Sequence, residues 1–130
     1  MGYDSTFGLD DFELYRLARQ FRVRTYALIR RLPVEERYAL APQMRRAAIS
    51  ISNNIAEGHG RWYYQDNMRF CRISRGSVEE VIDDLNICLD EKYADADEIL
   101  LLKEQAKELI ARINGYLSYL KRSKQGAEKR

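Results

Sequence analysis

Apolar residues recur along this chain at intervals of three, four and seven, the spacing of helix faces, and nowhere alternate as strand residues do. From Leu9 to Leu32, the residues Leu14, Leu17, Phe21, Leu28 and Leu32 predict one buried stripe, with Arg16, Arg19 and Arg30 projecting from the other side. Pro33 to Leu40 reads as a turn. A second helix is predicted from Pro42 to about Glu57, with Met44, Ala48, Ile51 and Ile55 as its seam. Gly58-His59-Gly60 reads as its stop, with Gly58 suited to a left-handed cap and His59 to a solvated position. A third helix is predicted from Tyr64 to Tyr93, with Phe70, Ile73, Ser77, Val81, Leu85 and Cys88 on one side. After the acidic break at residues 94–97 comes the longest stripe of all: Ile99, Leu102, Ala106, Leu109, Ile113, Leu117 and Leu120. Four amphipathic segments with short joints predict an all-α, antiparallel up-and-down four-helix bundle over residues 9–122. Residues 1–8 are expected to be loosely held, and the basic tail 123–130 to fray.

Length agrees with one domain, since 130 residues is the size of one ordinary domain and a two-domain enzyme is not expected. The net charge is only +2, but its distribution is uneven. Residues 1–75 hold 13 Arg and no Lys against 8 acidic residues, or +5, whereas residues 76–130 hold 9 basic and 12 acidic residues, or −3. Such asymmetry fits either one anion-facing surface or ordinary solvated helix faces. Cys71 and Cys88 are seventeen residues apart on one predicted helix, about 25 Å at 1.5 Å per residue, so they are expected to stay reduced. With no signal peptide and no long apolar run, a cytoplasmic protein without membrane contact is expected.

The usual catalytic constellations are missing from the sequence. The single histidine, His59, forms no Glu-x-x-His pair, and there is no Cys-x-x-Cys, phosphate-cradling Gly-Lys loop or Gly-x-Ser-x-Gly elbow. The expectation is a protein without enzymatic activity, metal or cofactor.

Two segments are richer than a generic bundle requires. Between Gln43 and Gly58, the residues Arg46, Ser50, Asn53 and Glu57 share one side and Asn54 flanks it. Ser and Asn are mediocre helix formers, so this stripe reads either as an internal hydrogen-bond network or as a contact with a partner subunit or phosphate. On the first reading Asn54 and Glu57 would be buried, and replacing either by Leu would destabilise the fold or an assembly. Between Arg69 and Glu80, mid-helix Gly76 suggests a close helix approach, and Ser77 on the core side needs a partner such as Asn54 or Glu80. Arg69, Arg72 and Arg75 form a ladder, read either as a phosphate-binding edge or as a solvated face paired with Asp66 and Glu79. Arg61-Trp62-Tyr63-Tyr64 offers aromatics either for base stacking beside an arginine or as a lid on the bundle end.

These strings together resemble one family. Arg45-Arg46-Ala47-Ala48-Ile49-Ser50-Ile51, then Asn54-Ile55-Ala56-Glu57-Gly58 with Arg61, then Arg69-Phe70 and Arg75-Gly76-Ser77 with Glu80, are similar to the 23S rRNA intervening-sequence proteins, also labelled S23 ribosomal proteins. Pro33, Glu36, Tyr38 and Leu40 fit the same pattern, and the likeness runs from about Phe12 to Leu120. The resemblance implies a bundle that assembles as a homopentamer, related to accessory proteins of diversity-generating retroelements that bind nucleic acid and a reverse transcriptase. Its motif falls here on Arg46, Asn54, Glu57, Gly58, Arg61, Gly76, Ser77 and Glu80. Many relatives have proline where Ser52 stands, so the kink it would bring is not expected. Ala41 replaces a common Ser or Thr cap, which leaves Pro42 as the main start signal.

Two functions follow as expectations. One is a homo-oligomer that holds RNA or DNA phosphates through Arg16, Arg19, Arg30, Arg61, Arg69, Arg72 and Arg75, a ring of five raising the charge to about +10. The other is an oligomeric adaptor for a protein such as a reverse transcriptase.

Overall fold

The computed structural model describes residues 8–123. The chain forms a 3₁₀ turn Leu9–Asp11, then α1 (Glu13–Ile29), a 3₁₀ turn Val34–Glu36, α2 (Leu40–His59), α3 (Tyr64–Asp90) and α4 (Ala96–Ser123). No strand occurs among the described residues. α2 packs against α1 and α3, and α4 packs against the same two, so α1 and α3 stand on a diagonal. This is the four-helix bundle that the short joints require. The expectations for the chain ends fall on residues outside the described ones, apart from exposed Gly8 and from Lys121, Arg122 and Ser123, which continue α4.

The core is built on the predicted stripes and widened by neighbours such as Ala18, Ile29, Ala47, Cys71 and Val78. Every stripe residue of α4 is buried, as are Met44, Ala48, Ile51 and Ile55 of α2 and Leu14, Phe21 and Leu28 of α1. Leu17 and Leu32 pack partly buried at its edge. Both thiols lie inside α3, and burial pushes them up, Cys71 to about 12 and Cys88 to about 11, so they are protonated core groups.

Helix ends depart from expectation in instructive ways. α2 begins at Leu40, two residues before Pro42, and its cap is remote: Glu36 Oε1 accepts from the Leu40 N–H at 3.2 Å. Pro42 then sits within the first turn, where its missing N–H costs nothing. At the other end, α2 runs through Gly58 and His59 to a right-handed Gly60 (φ −82°), so Gly58 is no left-handed cap. The left-handed terminator of this fold is Lys92 (φ 59°), after α3, with the Tyr93 N–H reaching back to the Cys88 carbonyl at 2.9 Å. His59 is half-buried with its ring 5.0 Å from Phe12, and desolvation lowers its pKa; it is not the solvated turn residue expected.

Of the two glycines of the motif, Gly58 and not Gly76 makes the close approach. A Cβ on Gly58 would stand 2.6 Å from Asn67 Oδ1 and 3.2 Å from both the Asn67 carbonyl and Phe70 Cβ, so the close α2–α3 approach is made here. A Cβ on Gly76 would meet nothing within 4 Å, and the residue is exposed. Gly76→Ala should therefore raise stability by about 0.5–1 kcal/mol, since only the helix-interior cost of glycine is removed. A thermal melt showing a lower Tm would contradict that. Ile73 is likewise 44% exposed; the buried line of α3 runs through Cys71, Ser74, Ser77, Val78, Val81, Leu85 and Cys88.

Candidate nucleic-acid interface

The seven arginines singled out in the sequence do not form one face. Arg16, Arg19 and Arg30 lie on α1 or its C-terminal end, and Arg69, Arg72 and Arg75 on α3, the helix diagonal to it. Arg61, in the α2–α3 joint, belongs with the α3 group. Arg19 is 3.7 Å from Asp10 and its guanidinium lies 5.9 Å from the Tyr15 ring; Arg16 is exposed. An exposed pair of this kind leaves the charge largely available.

The α3 group is the more concentrated. The guanidiniums of Arg61 and Arg69 lie 5.0 and 4.5 Å from the centroid of Phe70, which fixes both at the joint. Arg61 also donates to Glu57 at 2.8 Å, one turn before it. Arg72 is exposed, and Arg75 donates to Asn114 Oδ1 of α4 at 2.6 Å. The pairing with Asp66 and Glu79 does not form: among the described residues no carboxylate lies in ion-pair range of Arg69, Arg72 or Arg75. Successive rungs of this ladder rise about 4.5 Å along the helix. Beside it Trp62 is 61% exposed and Tyr63 41%, whereas Tyr64 packs on the core. Only Tyr64 acts as a lid.

The polar stripe of α2 divides. Ser50 Oγ and Ser77 Oγ are 2.7 Å apart, and Asn54 Nδ2 donates to both the Ser50 carbonyl (2.8 Å) and Ser50 Oγ (2.9 Å). Ser77 thus finds Ser50, with Asn54 one bond further on, rather than Asn54 or Glu80 directly. Arg46, Asn53, Glu57 and Glu80 are exposed. Asn54→Leu should cost about 1 kcal/mol, because it strips a donor from the network, while Glu57→Leu should be nearly neutral. Chemical denaturation of the two variants checks both, and a large loss at Glu57 would contradict the exposed geometry. Ser52 is buried in an unbroken helix, without the kink a proline would bring, and accepts from Arg22 Nη1 at 2.8 Å, tying α1 to α2.

Several functional candidates are ones the sequence reading passed over. Arg37 and Arg45 join Arg30 around a cleft of about 400 Å³ at the α1–α2 joint. Arg45 was read only as part of a string, although it stands one residue from Arg46. Asp84 is wholly buried; Gln43 Nε2 donates to its Oδ1 at 2.6 Å and its Oδ2 has no hydrogen-bond partner. Burial pushes this carboxyl up to about 6, against the bond from Gln43, with the charges of Glu80 and Asp83 adding to the rise. The signal for it was the spacing Ser77, Val81, Asp84, Cys88, which sets an acid on the buried side. Near it, the Tyr93 hydroxyl donates to Glu36 Oε2 at 2.6 Å, which holds that phenol up at about 12.

An all-helical bundle with basic, aromatic-flanked faces is a class with many uses, and comparison narrows it. The family model for the 23S rRNA-intervening sequence protein matches residues 10–115. The chain belongs to this family. A crystal structure of a protein of unknown function from the S23 ribosomal protein family of Bacteroides thetaiotaomicron VPI-5482 is similar to it, at 18% identity and a TM-score of 0.75, covering 80% of this chain and 97% of the other. That likeness establishes the fold. No curated protein matches the chain. No helix among the described residues is long and apolar enough to cross a membrane.

Proposed function

We propose that the protein is a non-enzymatic homo-oligomer, a pentamer by family resemblance, that binds RNA or DNA through the arginines of α3 and the α2–α3 joint. The observation that supports this reading is the cluster of Arg61 and Arg69 over Phe70, with exposed Trp62 beside it and Arg72 and Arg75 beyond. Arginine forks suit phosphate because they donate in pairs, and an exposed aromatic ring can stack on an unpaired base. Repetition in a ring would multiply a modest charge per chain into a strongly attractive surface.

Fluorescence anisotropy with labelled structured RNA and duplex DNA, from about 50 to 300 mM salt, tests it. The expected result is salt-sensitive binding whose log–log slope falls by about 2–3 in the triple variant R69A/R72A/R75A, with the mass of the assembly unchanged. Failure to bind either probe at the lowest salt would end this reading, and a monomer mass would end its oligomeric part. A second reading, an oligomeric adaptor for a protein such as a reverse transcriptase, draws on adjacent Leu100 and Leu101 of α4, 52% and 56% exposed. Retained partner capture without nucleic-acid affinity would favour it.

A further inference from the structure

At the α1–α2 joint, far along the bundle from Arg61 and Phe70, three arginines from three different elements converge on the same cleft. Arg30 caps the C-terminus of α1, Arg37 follows the 3₁₀ turn, and Arg45 comes from the second turn of α2. Each lies near an aromatic ring: the guanidiniums of Arg30 and Arg45 are 5.9 and 5.5 Å from the Tyr26 centroid, and that of Arg37 is 5.9 Å from exposed Tyr38. Stacking on a ring face leaves the N–H edges of a guanidinium free to donate.

Two of the nearby carboxylates are engaged elsewhere, and the third, Glu35 beside Val34, is exposed. Glu98 pairs with Arg31, and Glu36 takes the Tyr93 hydroxyl and the Leu40 N–H. No carboxylate is among the cleft walls, and among the described residues Arg30, Arg37 and Arg45 form no ion pair. Three like charges gathered at a cleft of about 400 Å³ repel one another until an anion sits between them. Phosphate has the oxygens to take several forks at once, which a single carboxylate lacks. The remaining wall is apolar, built by Leu32, Pro33 and Val34, the last 69% exposed, and the volume exceeds what a bare ion would fill.

We propose that this cleft is a nucleotide site: Arg30, Arg37 and Arg45 hold a phosphate, and the Leu32-Pro33-Val34 wall lies against the sugar or base attached to it. The site rests on the reading of the protein as a nucleic-acid binder but is separate from the α3 ladder. The phosphate belongs to a single-stranded chain or to a free nucleotide, and the test separates these sources.

Anisotropy with a labelled oligothymidylate of about twelve nucleotides would compare wild type, R37Q/R45Q, V34E and R69A/R72A/R75A. Arg37, Val34 and Arg45 are all exposed, so these variants should keep their helicity by circular dichroism. Removing two phosphate contacts should lower the salt slope by about 1.4 and the affinity about 20-fold at roughly 0.1 M salt. V34E, which sets a carboxylate in the cleft, should weaken binding as well. Melting with and without adenosine monophosphate identifies the source: a rise in Tm for wild type but not R37Q/R45Q assigns a free nucleotide, and oligonucleotide binding without that rise assigns a chain. If R37Q/R45Q and V34E both bind the oligonucleotide like wild type, and the nucleotide shifts no melt, the cleft proposal is overturned while the α3 ladder stands. If wild type binds neither the oligonucleotide nor the nucleotide, the cleft proposal falls, and the α3 reading is decided separately by structured RNA and duplex DNA.

Discussion

Gly58→Ala should lower the stability of the bundle by about 2–3 kcal/mol, the opposite sign to Gly76→Ala in the same motif. Alanine is the better helix former by about 1 kcal/mol, so propensity alone would favour the change at both positions. Space decides otherwise at Gly58. Its Cβ would lie 2.6 Å from Asn67 Oδ1, and the Asn67 side chain is not free to swing aside. Asn67 Nδ2 donates to the Tyr116 hydroxyl of α4 at 2.9 Å, and Cys71 Sγ approaches Oδ1 at 3.6 Å. The Asn67 carbonyl and Phe70 Cβ, each 3.2 Å away, are parts of α3 that move only with the helix. Accommodating one methyl group thus separates α2 from α3 or breaks a buried bond between α3 and α4. For a chain of this length the loss corresponds to a fall in Tm of about 10 °C. An unchanged melt would mean that the two helices do not pack as closely as described. Because Phe70 carries the stacked guanidiniums of Arg61 and Arg69, the same substitution should also weaken nucleic-acid binding.

These two glycines mark the boundary of what the sequence discloses. Periodicity is a property of single helices, and it located every stripe residue of α4 but missed buried neighbours such as Ala18, Ala47, Cys71 and Val78 on the other three. It says nothing about which outward position faces a neighbour, so it pointed to Gly76 for the close approach and to Gly58 for a cap, whereas the approach is made at Gly58 and Gly76 is open. The same limit explains Ile73, which keeps the three- and four-residue spacing to Phe70 and Ser77 and yet faces solvent. Side-chain partners between helices were legible only as a demand: Ser77 had to find a hydrogen bond, but that it finds Ser50 depends on the α2–α3 register. The arginines illustrate the converse. Arg69, Arg72 and Arg75 are neighbours by helical arithmetic alone, whereas Arg30, Arg37 and Arg45 meet only because the Pro33 turn folds α2 back along α1. Capping was hidden for a similar reason, since Glu36 reaches the Leu40 N–H across a 3₁₀ turn that carries no distinctive motif.

Asp84→Asn should make the protein more stable at neutral pH and remove a pH dependence that the native chain carries. The Asp84 carboxyl is wholly buried, with one oxygen bonded to Gln43 and the other without a hydrogen-bond partner. Burial is the main cause of its rise from 3.8 to about 6; Glu80 and Asp83 add to it, and the bond from Gln43 opposes it. A carboxyl whose folded pKa lies above its unfolded value favours the folded state only while protonated. Its contribution is therefore fully present below pH 4 and is lost as pH rises through about 6. Two units at 1.36 kcal/mol each, less what solvent near Glu80 and Asp83 screens, gives about 2 kcal/mol lost across that window. Asparagine keeps the acceptor for Gln43 without the charge, so its stability should stay flat where that of the native chain falls. The difference between the two should open between pH 4 and 6 and stay constant above it, as read by denaturant unfolding at a series of pH values. Parallel curves would mean that the Asp84 carboxylate has a counter-charge or solvent access in solution.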